Sequence, residues 1–262
     1  EDNYRMIRYP VPEELKLEVS GLALLPDGRL AAAIRKGEIW IIENAESDSP
    51  DQVRYQQFAT GLHEPLGLAW HNGALYTAQR TELTRLRDTD GDGRADEYLT
   101  VAKGWGVSGN CHEYAYGPVF DKAGNAWITL NCTIGKPVTK DDAWRGWSLM
   151  VKPDGSWQPV SGGFRSPCGL GLNAEGDVFA TDQQGNWFGT NPLIHVRPGV
   201  FHGHTDALKS CSLPGATFQS PGKVPQKITV VQAAKQIPVY QLPAVWFPYR
   251  KMGMSTTDLL CD

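Results

Sequence analysis

The sequence predicts an all-β fold, a β-propeller built of four-stranded blades. Three observations carry that prediction: a hairpin pattern that recurs four times, turn glycines at near-constant spacing, and a composition rich in turn formers and aromatics. The 262 residues include 28 Gly, 18 Pro, 9 Trp and 9 Tyr, which implies many tight turns and rigid side chains rather than long helices. Hydrophobic residues at 41% and charged residues at 21% exclude a disordered or fibrous chain. Lys+Arg at 25 against Asp+Glu at 29 gives a net charge of −4, which argues against a general nucleic-acid binder. No apolar run approaches the ~18 residues that a membrane span needs.

The repeat defines the elements in order. Gly21–Ala31, Leu66–Tyr76, Ala115–Trp127 and Cys168–Phe179 each read as an apolar strand, a polar turn closed by glycine, and a second strand. The turn glycines Gly28, Gly73, Gly124 and Gly176 lie 45, 51 and 52 residues apart, a regularity that a β-sandwich has no reason to keep. Further strands are predicted at Glu38–Ile42, at Leu83–Arg87 with Glu97–Val101, at Trp147–Lys152 with Gln158–Val160, and at Ile194–Arg197. Two hairpins per repeat match propeller blades of about 40–50 residues. Thr205 to Ala244 breaks the pattern with Pro214, Pro221, Pro225, Pro238 and Pro243, and reads as an irregular insertion (205–244) holding one short helix around Gln226–Gln236. It is expected to lead into a fifth blade whose innermost strand is Ser255–Leu260. A six-bladed ring is the expected type, so residues 1–262 read as a single propeller domain incomplete at its C-terminus, with further blades beyond Asp262 or on a second chain. The chain starts at Glu1 without Met or an apolar leader and reads as a mature or trimmed protein. Five cysteines are an odd count, and one or two disulfides in an oxidising compartment are compatible with it. Ser108-Gly109-Asn110-Cys111-His112 has the shape of a c-type haem attachment site with its first Cys replaced, which argues against covalent haem.

In a propeller, residues just before each first strand face the mouth of the central channel. Those residues are His63-Glu64, Cys111-His112-Glu113, Arg165-Ser166 and, ahead of the fifth blade, Arg250 with Lys251-Met252. Such convergence of ionisable groups marks the expected ligand pocket. Asp182, after a strand near the same mouth, joins the candidates. Trp105, Trp144 and Trp187 offer rings for a sugar or a quinone, or for core packing. His195 sits in a strand and reads as packed, and His202 and His204 form an i, i+2 pair without a third metal ligand.

The most specific local motif is Asp88-Thr89-Asp90-Gly91-Asp92-Gly93-Arg94-Ala95-Asp96-Glu97. Carboxylates at positions 1, 3 and 5 and Gly at 6 match the opening of a calcium-binding loop. Asp88, Asp90, Asp92, the Arg94 carbonyl, Asp96 and Glu97 are the candidate ligands, because Leu99 stands where a bidentate Glu normally closes the shell. All-oxygen donors favour Ca²⁺ over a transition metal. A structural role is expected, since four acids within nine residues repel one another.

Several segments carry a resemblance. His112-Glu113-Tyr114-Ala115-Tyr116-Gly117-Pro118, Trp144-Arg145-Gly146-Trp147, Arg165-Ser166-Pro167-Cys168-Gly169-Leu170-Gly171, Asp182-Gln183-Gln184-Gly185-Asn186-Trp187 and Arg197-Pro198-Gly199-Val200-Phe201-His202-Gly203-His204 occur in this order. Together with the acidic loop they resemble the propeller of a family known as membrane-bound dehydrogenases, often fused to a c-type haem domain. That family is similar to soluble glucose/sorbosone sugar dehydrogenases, which use pyrroloquinoline quinone (PQQ) and calcium. The resemblance implies His112 as general base and Arg165 as a ligand of cofactor and substrate; His63, Glu64, Asp182 and Arg250 are further cofactor-binding candidates by their place in the chain. The base removes a hydroxyl proton while hydride leaves for the quinone, and the guanidinium steadies the developing oxyanion. Two positions depart from the pattern: Cys111 stands where an acid precedes the base, and Ser166 where an Asn follows the Arg.

The expected function is therefore a periplasmic or secreted quinoprotein-type oxidoreductase. It would oxidise a sugar or related alcohol or aldehyde and pass electrons to a redox partner such as a c-type cytochrome. The alternatives are a non-catalytic calcium-stabilised propeller that binds glycan or protein, and a lactonase or other hydrolase on the same scaffold.

Overall fold

Each predicted hairpin is present, and each extends into a four-stranded antiparallel meander. The computed structural model describes residues 6–260; it is all-β, with four such sheets as the blades of a β-propeller. The chain divides into two compact units, Glu1–Gln79 with Thr84–Thr100 and Arg80–Leu83 with Val101–Asp262.

In the first unit, β1 (Val19–Leu24), β2 (Leu30–Ile34), β3 (Glu38–Glu43) and β4 (Arg54–Ala59) pair in sequence order. Gly28 closes the first turn at φ +84°, with nothing near its missing Cβ, so backbone conformation alone selects glycine there. Alanines fill the central strand β2, which is buried along four of its five residues between β1 and β3. In β3, Ile39 and Ile41 alternate inward while Trp40 bonds Glu38 on the other face. β5 (Ala69–His71), β6 (Ala74–Ala78), β7 (Glu82–Arg87) and β8 (Glu97–Lys103) form the second sheet. Leu25, Ile39, Ile41, Leu62, Leu68, Leu75 and Leu86 make one core between the two sheets. Backbones meet there too: the Gly67 N–H donates to Ser20 O, and a Cβ on Gly21 would lie 2.5 Å from Gly67 Cα.

The second unit repeats the plan. β9 (Ala115–Phe120), β10 (Ala126–Leu130), β11 (Trp147–Val151) and β12 (Trp157–Gly162) form its first sheet. β13 (Gly169–Leu172), β14 (Val178–Thr181), β15 (Asn191–His195) and β16 (Val245–Phe247) form its second. The hairpin turns are Asx-stabilised: Asp121 accepts from the backbone N–H of Ala123 and Asn125, and Asn173 from those of Gly176 and Asp177. Val160, Phe164, Leu170, Val178, Ala180, Ile194 and Val196 pack between the sheets. Trp147, fully buried, stacks on Phe218 at 4.9 Å between ring centroids, and its indole donates to Ala207 O.

Two expectations are corrected here. The excursion after β15 does not run directly to Ser255–Leu260; after a 3-10 turn (Thr205–Ser212) and a helix, α1 (Val230–Gln236), it first returns as β16, the fourth strand of the fourth blade. The helix begins four residues later than predicted because Thr229 and Gln232 form a reciprocal capping box. Ser255–Leu260 is not a strand, although it runs along β13: the Leu170 N–H donates to Asp258, the Thr181 hydroxyl to Thr257 O, and the Cys168 thiol to Thr256 O. Cys111, Cys132, Cys168 and Cys211 are free thiols; Cys261 lies outside the described residues. Among the described residues, no helix is long and apolar enough to cross a membrane.

Candidate active site

The loop before β9 and the loop before β13 meet at His112 in the second unit. The ring is held at both nitrogens: Nδ1 lies 2.8 Å from Cys132 O and Nε2 2.8 Å from Ser166 Oγ. A carbonyl can only accept, so Nδ1 carries the proton and Nε2 presents its lone pair to the serine hydroxyl. The His112 backbone N–H donates to Asn110 Oδ1, and the Cys132 N–H donates to Arg165 O, so the base and the arginine loop share one anchor. Burial pushes the imidazole below the ordinary histidine value; the charges of Arg165 and Arg80 push it further down, while the Cys132 carbonyl and Glu113 oppose them. His112 is therefore a neutral base at pH 7.

Arg165 lies half-buried beside it. Its guanidinium donates to neutral oxygens, Ser166 Oγ at 3.3 Å and Gln183 Oε1 at 3.2 Å. Asp182 supports this loop from beneath. Its two oxygens take the backbone N–H groups of Arg165, Ser166 and Gln183, at 2.8, 2.7 and 2.7 Å. It is 3% exposed, and burial pushes it up to about 7 against those N–H groups and Arg165. Asp182 thus positions the loop through hydrogen bonds to its backbone.

Buried charges fix the His112 loop from the other side. Glu113 accepts from the Ser108 N–H and hydroxyl, the Gly109 N–H and the Thr133 hydroxyl. Burial pushes its carboxyl up, but these bonds and the Arg145 charge pull harder and leave it below the usual range. The fully buried Arg145 guanidinium donates to Gly106 O at 2.6 Å, Glu113 O at 3.0 Å, Tyr114 O at 2.9 Å and Arg80 O at 2.9 Å. Arg80 in turn lies 4.2 Å over the Tyr114 ring and donates to Asn110 O and Cys111 O. The sequence marks Glu113 only as a mouth residue and gives Arg145 and Arg80 no role, because a buried arginine that bonds backbone looks like a surface arginine in a string of letters. The one available signal was Arg145 between Trp144 and Trp147, both buried.

The remaining candidates have other partners. In the first unit, His63 is exposed with its backbone N–H bound to Gln79 Oε1, and Glu64 pairs with Arg35 at 3.1 Å. Arg250 is exposed after β16, with its own neighbour Tyr249 as its ring contact at 5.9 Å. Trp105, Trp144 and Trp187 are packing residues: Trp105 donates to Arg80 O, Trp144 sits 5.3 Å from the Trp147 ring, and Trp187 donates to Pro225 O. His195 sits in β15 as expected, stacked on Phe179 and facing Asp177 at 3.4 Å. His202 bonds Ser161, and His204 accepts from the Asn186 N–H.

In the acidic loop, also in the first unit, carboxylate oxygens of Asp88, Asp90 and Asp92 lie within 4.8 Å of one another. The loop is prefolded: Asp88 accepts from the N–H groups of Gly91 and Gly93, and Asp92 from that of Arg94. Asp96 is turned to the Thr89 N–H and hydroxyl, and Glu97 pairs with Arg85 at 2.9 Å. The structure therefore brings together three of the predicted carboxylates and directs two to other partners.

A family model described as a domain of unknown function, DUF7133, matches residues 6–241. No curated protein matches the sequence. Among solved structures, the chain is similar to the PQQ-bound aldose sugar dehydrogenase of Streptomyces coelicolor, at 18% identity and TM-score 0.58 over 78% of this chain and 66% of that one. It is also similar to the soluble aldose sugar dehydrogenase of Escherichia coli in its apo form, at 14% identity and TM-score 0.62 over 90% and 74%. A Trichoderma reesei member of carbohydrate-active enzyme family AA12 superimposes with 11% identity and TM-score 0.63 over 94% and 74%. At these identities the likeness is one of fold.

Proposed function

We propose, for a chain that belongs to the DUF7133 family, a domain of unknown function, the oxidation of a sugar or related alcohol or aldehyde by a quinone-dependent mechanism. The observation that carries this reading is His112, a neutral imidazole whose Nδ1–H is locked by a carbonyl and whose Nε2 lone pair stands beside a guanidinium. A substrate hydroxyl that takes the place of the Ser166 hydroxyl at Nε2 meets a base able to accept its proton. Arg165 steadies the oxygen left behind, and the clamp of Asp182 on its backbone keeps it in register. The aldose dehydrogenase neighbours support a carbohydrate substrate.

PQQ fits the donor set on one observation: the hydrogen-bond partners of the Arg165 guanidinium are neutral, so its charge suits the carboxylate or quinone oxygen of such a cofactor. When bound, PQQ supplies the hydride acceptor. The reading carries an extracytoplasmic location, periplasmic or secreted, and a c-type cytochrome as electron acceptor. Calcium is assigned to Asp88, Asp90 and Asp92 with the Arg94 carbonyl, because a cation among three carboxylates this close relieves their mutual repulsion.

Quenching of tryptophan fluorescence by added PQQ tests the assignment without turnover. Arg165→Gln should weaken binding by about 10-fold or more, the loss of a charge-assisted hydrogen bond. Equal affinity in the variant removes Arg165 from the cofactor site.

A further inference from the structure

We propose that Ser166 is an acyl-accepting nucleophile, and that the same site carries a hydrolytic activity toward activated esters or lactones. The inference does not rest on the quinone reading, because it needs no cofactor. Three contacts carry it. Ser166 Oγ lies 2.8 Å from His112 Nε2, the nitrogen that the Cys132 carbonyl leaves unprotonated by holding Nδ1–H. The serine hydroxyl therefore donates to a base whose orientation is fixed by a third group, the arrangement that activates a serine. Oγ also accepts from Arg165 Nη1 at 3.3 Å, so a cation stands next to the attacking atom and can turn to the carbonyl oxygen as that oxygen gains charge. The serine is also held still: it is 5% exposed, and Asp182 binds its backbone N–H at 2.7 Å.

In the proposed step, Ser166 Oγ attacks the acyl carbonyl carbon as its proton passes to His112 Nε2. A new O–C bond forms, the tetrahedral oxyanion is stabilised by Arg165, and the ester C–O bond breaks. His112 returns the proton to the leaving alkoxide. Water, activated by the same nitrogen, then cleaves the acyl-serine and releases a carboxylic acid. No oxidant or reductant takes part. The substrate class is a neutral or anionic ester small enough to reach a half-buried imidazole; a sugar lactone and a simple ester share that chemistry.

The test uses a fluorophosphonate probe, whose phosphorus takes the place of the acyl carbon: a P–O bond forms to Ser166 and fluoride leaves. The protein is incubated with the probe without added quinone, then digested and mapped by mass spectrometry. The expected result is one adduct, on Ser166, lost in Ser166→Ala and formed about 100-fold more slowly in His112→Gln, the usual weight of a general base. The labelling rate should rise with pH as the imidazole loses its proton. Absence of an adduct in the wild-type protein, or an adduct mapped to any other residue, overturns the proposal whether or not the variants fold. A His112→Gln protein labelled at the wild-type rate overturns it equally. Turnover of 4-nitrophenyl acetate and of an aldonolactone distinguishes the two ester sources.

Discussion

Replacing Arg145 by methionine removes a guanidinium that gathers four backbone carbonyls, those of Arg80, Gly106, Glu113 and Tyr114, inside the second unit. Burial lowers its pKa to about 10, and the charge of Glu113 opposes that shift, so the cation is retained at pH 7 and is compensated by a buried carboxylate. Methionine fills much of the volume but strands the carbonyls and leaves Glu113 without its counter-charge. Removing one of two buried charges that compensate each other costs about 3–5 kcal/mol at most, and partial hydration of the carbonyls keeps the total near the middle of that range. About 4 kcal/mol in a unit of this size lowers the melting temperature by roughly 8–16 °C. Scanning calorimetry reads that shift, and hydrogen exchange should show the loss of protection concentrated in residues 106–114. Arg145→Lys should recover part of the loss, because one ammonium with three donors cannot span four carbonyls. A methionine variant that melts within about 1 °C of the wild type would refute the assignment of Arg145 as the anchor of the His112 loop.

The other predictions concern pH, metal and backbone contact. Burial lowers His202 to about 3 and His204 to about 4, so the unfolded chain binds more protons below the ordinary histidine value, and stability present above about pH 6.5 is lost as pH falls toward 4. Each histidine contributes a slope of about 1.4 kcal/mol per pH unit, and His112 acts in the same direction. Asp182, raised to about 7, acts in the opposite sense and offsets one of them, so the urea midpoint should still fall between pH 6 and 5; a flat or rising midpoint contradicts these burial effects. Calcium at 100 times its dissociation constant should stabilise the protein by about 2.7 kcal/mol, an effect lost in Asp90→Ala; a chelator that leaves the melting temperature unmoved contradicts the loop assignment. Gly21→Ala places a Cβ 2.5 Å from Gly67 Cα and 2.8 Å from Leu68 N, backbone atoms that cannot swing away. A loss of about 2 kcal/mol in chemical denaturation is expected, and a neutral substitution would show that the two sheets of the first unit pack less closely.

The parts of the fold legible in sequence are those that a local rule governs. Gly28, Gly73, Gly124 and Gly176 all adopt positive φ, from 78° to 96°, and each marks its hairpin. β4 carries the mixed sequence Arg-Tyr-Gln-Gln-Phe-Ala and is only partly buried, so no alternation announced it. β16 pairs with β15 across the whole excursion, and its three residues follow a Pro-rich run that resembles a linker. At the site, a place just before a blade's first strand marks His112, Glu113, Arg165 and Ser166 alike, and the roles of base and ligand for His112 and Arg165 follow from the resemblance alone. Ser166, Asp182 and Arg145 have roles set by bonds between distant segments, such as Ser166 to His112 across 54 positions, and no local pattern encodes those. Glu97 shows the converse: the acidic motif nominated it as a ligand, whereas Arg85 on the neighbouring strand claims it.

In the proposed reaction His112 Nε2 receives a proton from a carbohydrate hydroxyl as the carbon is oxidised. It is tested most directly by adding a panel of aldoses to protein loaded with PQQ and Ca²⁺ and following the quinone absorbance. Reduction of the bound quinone by at least one sugar is expected, with a rate that falls about 100-fold or more in His112→Gln while PQQ binding is retained. An unchanged spectrum with every sugar, in protein shown to hold the quinone, would contradict it.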